Sequence, residues 1–98
     1  MKSFEDKLLG AHGWIRIDDT GTHTGPSHYG LVPALNTVIA TWTSNDVNGD
    51  THDLLDWFKI KTKTITVNDP ALIIPEAWTY APQVVKLTSG SVNLLRKP

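Results

Sequence analysis

The sequence predicts an all-β fold, a small β-sandwich or jelly-roll-like domain preceded by a short N-terminal arm. Three observations lead there. Short apolar or β-branched runs recur along the chain, and clusters of Gly, Pro, Asn and Asp separate them. No segment sustains the 3.6-residue apolar period of a packed helix. At 98 residues, with 40% hydrophobic and 19% charged, the chain suits one domain around one core. We assign residues 1–13 to an arm or short helix and 14–98 to a single sandwich domain.

Taken in order, KSFEDKLL (2–9) pairs Ser3 with Asp6 in an N-cap pattern and gathers Phe4, Leu8 and Leu9 on one side. Gly10 and Gly13 end it. Trp14–Ile17 alternates as a short strand, Trp14 and Arg16 on one face, Ile15 and Ile17 on the other. DDTGTHTGPSHYG (18–30) predicts a long polar loop. LNTVIATWT (35–43) predicts a strand with Val38, Ala40 and Trp42 on one face and Thr37, Ile39 and Thr41 on the other. SNDVNGD (44–50) is a turn cluster.

LDWFKIKTKTITV (55–67) alternates Phe58 and Ile60 against Lys59, Lys61 and Lys63, which predicts an exposed edge strand guarded by charge. Its apolar phase slips between Thr62 and Thr64, which calls for a bulge or break there. Asn68-Asp69-Pro70 is a turn, and Leu72–Ile74 a short strand stopped by Pro75. Trp78 and Tyr80 alternate before Pro82. KLTSGSVNLL (86–95) closes the chain as an expected hairpin about Ser89-Gly90. In that register Leu87 faces Val92, Val85 faces Leu94, and Val84 meets Leu95 on the far face, an apolar pair suited to cover by another chain.

Charge and composition exclude several roles. Nine Lys and Arg stand against ten Asp and Glu, so the dense basic footprint of a nucleic-acid binder is missing. Cysteine is absent, and with it disulfides, thiolate metal sites and Cys nucleophiles. Glu5 and Asp6 stand where a signal peptide needs an apolar run, and no apolar stretch approaches the roughly 20 residues of a membrane span. The expectation is a soluble chain made in the cytoplasm, with no membrane partner.

No catalytic motif emerges. Asp46, Asn48 and Asp50 begin like a calcium loop, but Gly49 falls at the fourth place instead of the sixth and Trp57 stands where a bidentate Glu belongs. An Asx-rich turn is the expected reading. His23 and His28, five apart near Asp18 and Asp19, lack the spacing of a helical zinc site. There is no G-x-S-x-G elbow and no phosphate-binding Gly-Lys loop. We therefore expect no catalytic residue, no metal ligand, no cofactor and no small-molecule substrate. Four Trp and two Tyr exceed what a core this small needs. At least half are expected inside, the rest at a protein interface or a sugar-binding face.

The order of segments carries a resemblance. THTG, LNTVIATWTSN, an N-G-D loop, LIIPEAW and the closing LTSGSV follow one another over roughly residues 22–97. This resembles the small virion-associated proteins of tailed bacteriophages, which carry a T-G motif, a central β strand, an I-P-A-G step and a closing S-G-S-V segment. Glu76-Ala77 stands where that pattern has Ala-Gly, and Asn93-Leu-Leu where it has Ile-Ala-Tyr. The resemblance implies a capsid decoration (cement) protein on the virion surface, bound to the major capsid protein and homotrimeric. Phe4, Leu8, Leu9, Trp14, Val84 and Leu95 are then the expected interface residues. A tail-associated or host-surface carbohydrate-binding module is the competing class.

Overall fold

The computed structural model describes residues 13–25 and 27–97, and they form two antiparallel sheets packed face to face. The sandwich expected from the alternating runs is present. The arm expected over 1–13, with Phe4, Leu8 and Leu9, lies outside the described residues up to position 12.

In chain order the strands are β1 (Trp14–Ile17), β2 (His23–Thr24), β3 (His28–Pro33), β4 (Thr37–Asn45), β5 (Thr51–Asp53), β6 (Thr64–Ile65), β7 (Leu72–Ile73), β8 (Tyr80–Ser89) and β9 (Val92–Arg96). A one-turn helix α1 (Leu54–Trp57) follows β5, and a 3₁₀ turn (Glu76–Trp78) precedes β8. The first sheet runs β1-β9-β3-β7; the second runs β2-β8-β4-β5, with β6 also paired to β4.

The C-terminal segment differs from expectation in the partner of each strand. β8 and β9 do not pair: β8 bonds β2 and β4 in the second sheet, while β9 bonds β1 and β3 in the first. Ser89-Gly90-Ser91 is a corner between sheets. Val85, Leu87, Val92 and Leu94 are all buried, but they meet across the core instead of along one face of a hairpin. Alternation specifies which residues point inward; it is silent on whether two inward-facing strands lie side by side or opposite each other. Val84 and Leu95 accordingly belong to different sheets, on the outward-facing side of each.

A second corner lies against the first. β3 passes into β4 through 34–36, and Pro33 opposes Val92 on one side of the bend while Val38 opposes Ser89 on the other. Segments 28–45 and 80–96 thus form one antiparallel ribbon folded across both sheets. Thr37 fastens the bend: its hydroxyl lies 2.8 Å from the Leu35 carbonyl and 3.1 Å from the Ser91 carbonyl, and accepts Ser91 N–H at 3.1 Å. The Ser91 carbonyl also accepts from the Ala34 and Leu35 amides. Gly90 has φ +96°, where a Cβ would stand 2.6 Å from Asn36 O and Thr37 Cα. Glycine alone fits without displacing that backbone.

Three further expectations are corrected. The loop over 18–30 is interrupted by β2 and ends at His28, because His23 and Thr24 pair with Val85 and Val84. In β4 the ladder shifts at Val38/Ile39 and between Ile39 and Thr41, so Ile39 and Trp42, of opposite parity, both enter the core. The strand expected over 55–67 is mostly absent. Asp53 Oδ1 accepts the Leu55 and Asp56 amides and caps α1, turns follow at Lys59 and Lys63, and strand resumes only at Thr64. The break expected between Thr62 and Thr64 coincides with this last turn.

Trp42 lies at the centre of the core. Its indole N–H donates to Nε2 of buried His28 at 3.1 Å, and the two ring planes are 16° apart. The Phe58 ring stacks on Trp42, centroids 5.4 Å apart. Buried Gln83 behaves as a substitute strand for β3: its Oε1 accepts His28 N–H at 2.7 Å and its Nε2 donates to His28 C=O at 2.9 Å. One β8 side chain thereby ties the second sheet to the first with the bonding pattern of a peptide group. No buried side-chain nitrogen or oxygen among the described residues lacks a partner.

Candidate docking surface at the aromatic end

One end of the sandwich, where β5 runs into α1 and the 3₁₀ turn leads into β8, is closed by aromatic rings. Asp53 starts α1, which turns Leu54 and Leu55 inward and leaves Trp57 outward. The Trp57 ring meets Phe58 edge-on at 4.8 Å and Trp78 edge-on at 5.6 Å. Trp78 is half-buried and carries the His52 imidazole stacked on it, centroids 4.1 Å apart and planes 5° apart. Ser44 Oγ donates to the Trp78 carbonyl and anchors the 3₁₀ turn to β4. A continuous set of rings therefore runs from His28 and Trp42 in the core, through Phe58, to Trp57, Trp78 and His52 at the surface.

Trp57 remains 47% exposed and Tyr80, at the same end, 44% exposed. The Lys97 ammonium stands 4.8 Å from the Tyr80 ring centroid and donates to Thr79 O at 3.1 Å. Large aromatics held this open by rigid neighbours lose little conformational entropy when covered, which is why such residues dominate docking energetics.

The Asp46–Asp50 turn borders this end. Asp46 Oδ1 accepts the Asn48 and Asp50 amides at 2.8 and 3.0 Å, the Asx turn expected from the residues, and its Oδ2 lies 3.0 Å from His52 Nε2. The His52 bond, followed by the Asp50 and Asn48 amides, holds the Asp46 carboxyl below its ordinary value. In the β1–β2 loop, Asp19 lies 2.7 Å from His23 and is lowered likewise, by that bond first and the Gly21 amide second. His28 is in the core, well removed in role from His23. Among the described residues no three His, Asp or Glu side chains converge as a metal site would need. Nor is any helix among them long and apolar enough to cross a membrane.

The interface residues expected from sequence are scattered by the fold. Phe4, Leu8 and Leu9 lie outside the described residues. Trp14 is 47% exposed on the outer side of the first sheet, directly opposite Leu95. Leu95 is fully buried there, and the absence of a side chain at Gly30 lets Leu95 and Ile73 approach each other over it. Val84 is half-buried on the other sheet, opposite Thr43. In sequence, Trp57 falls in the expected strand over 55–67 and Trp78 and Tyr80 in an alternating pair, and nothing there brings the three to one end. The capping Asp53 was the available signal that Trp57 leaves the strand pattern and turns outward. No family model matches the chain, and no curated protein or solved structure does so.

Proposed function

We propose that this chain is a non-catalytic docking module, and that it serves as a capsid decoration (cement) protein that binds the major capsid protein and bridges capsomers as a homotrimer. The observation that carries the docking reading is the aromatic end, where Trp57 stands open beside half-buried Trp78. An exposed aromatic surface of this kind suits a protein partner. The virion assignment rests on the resemblance of the segment order and of LTSGSV at 87–92. A small rigid sandwich is suited to the task, because many copies on a symmetric lattice multiply a modest interface into firm attachment.

A carbohydrate-binding module is the second reading, favoured by the exposure of Trp57 and Tyr80, which offer the flat apolar faces that sugar rings stack on. Two measurements separate the readings. Decoration requires the chain in purified particles at near-stoichiometric abundance with the major capsid protein, and Trp57→Ser must release it from the particle. Absence from the particle would end that reading, and saturable shifts of Trp57 signals with oligosaccharides would put the sugar-binding one in its place.

A further inference from the structure

A cleft of about 320 Å³ opens on the edge of β4 that faces away from β8, between β4 and the excursion 53–63. It exists because β4 is only partly paired on that side. β5 covers Thr43–Asn45, β6 covers Thr37–Val38, and the Ile39 amide donates to Lys63 O at 2.7 Å. Between them, no backbone hydrogen bond among the described residues joins Ala40, Thr41 or Trp42 to the excursion 54–63. The gap is three residues of extended chain, roughly 10 Å.

Lys59, Lys61 and Lys63 all line this cleft, and none forms an ion pair with a described residue. Two carboxylates share it, but Asp53 is turned to the start of α1, where it caps the Leu55 and Asp56 amides. That leaves three ammonium groups against Asp56. The backbone adds a second observation. Lys59 and Lys63 both have φ +58°, a left-handed conformation that Gly or Asn adopts at lower cost. The turns need that conformation, and each is closed by an amide bond, Lys59 N to Asp56 O and Lys63 N to Ile60 O. They do not need lysine.

We infer that this cleft is a binding site for a short extended peptide segment with acidic side chains, which adds its backbone to the unpaired stretch of β4 and places carboxylates among Lys59, Lys61 and Lys63. Strand addition supplies backbone hydrogen bonds, and charge chooses the sequence. The inference does not rest on the decoration role.

The test uses the full chain and the capped tripeptide acetyl-Glu-Val-Glu-amide, which matches the length of the gap, followed by amide chemical shifts. The expected result is saturable shifts at Ala40–Thr43 and 59–63, weakening as salt rises. Lys59→Gly/Lys63→Gly, which suits both turns, should keep or raise the melting temperature and weaken binding about tenfold or more. Lys61→Gln should weaken it less. The inference is overturned if the peptide at 5 mM shifts nothing. It is equally overturned if acetyl-Lys-Val-Lys-amide binds as well, or if sodium sulfate alone reproduces the shifts. Self-association of the glycine variant without peptide binding by the parent would mean that the lysines only guard the edge, and that too would overturn it.

Discussion

Replacing Gly90 with alanine probes the corner that joins the sheets. Two costs add there. A residue with a Cβ at φ +96° loses about 1 kcal/mol relative to glycine. The new methyl then stands 2.6 Å from Asn36 O and Thr37 Cα and closer still to Thr37 Oγ1, so backbone must move. Forced repacking of this kind costs about 1–3 kcal/mol. Displacing Thr37 Oγ1 from Ser91 adds about 1 kcal/mol. The sum, about 3–5 kcal/mol, is a large share of the roughly 5–15 kcal/mol that stabilises a domain, and should lower the melting temperature by more than about 10 °C. Gly49→Ala is the control, because Gly49 has φ +86° but no atom of the described residues within 4 Å of where a Cβ would lie. It should cost only the conformational part, about 1 kcal/mol. Urea titrations followed by tryptophan fluorescence measure both. If the two substitutions agree within about 0.5 kcal/mol, the steric part of the reasoning is wrong.

Other substitutions test the remaining features. Gln83→Leu removes both buried hydrogen bonds to the His28 backbone and should cost about 2–4 kcal/mol in the same titration, whereas exposed Thr88→Leu on the same strand should cost little. Trp57→Ser should abolish docking while lowering the melting temperature only by several degrees, since the ring is half open to solvent. For Asp46 the sign follows from its lowered folded value. The stability it adds is complete above the unfolded value near 3.8 and disappears as pH falls through the lower folded one. The melting-temperature gap between the parent and Asp46→Asn should therefore close as pH falls below about 4.

The inward-facing set was legible because it depends only on period-two alternation. Ile15, Ile17, Val85, Leu87, Val92 and Leu94 all follow it into the core. Pairing was not legible, since Val85 and Val92 satisfy the same pattern whether their strands share a sheet or oppose one another. Irregular ladder steps hid the inward turn of both Ile39 and Trp42. Around Lys59–Lys63 the alternation was accidental: capping by Asp53 and two left-handed lysines override strand propensity. At the aromatic end, composition revealed that rings were in surplus. Their exposure depended on which element carried each one.

The folded ribbon has a consequence for how a single structure is selected. Its two arms lie about fifty residues apart in sequence, so their pairing must close the long excursion 46–79 and is expected to be slow. A slip of one residue in either sheet would pass through the bend and misplace the other, turning Leu31 and Trp42 outward together. The hydroxyl of Thr37, which reaches Ser91 only when 34–37 and 89–91 are correctly apposed, recognises the right alignment for both sheets at once. One threonine thereby proofreads the registration of the whole domain.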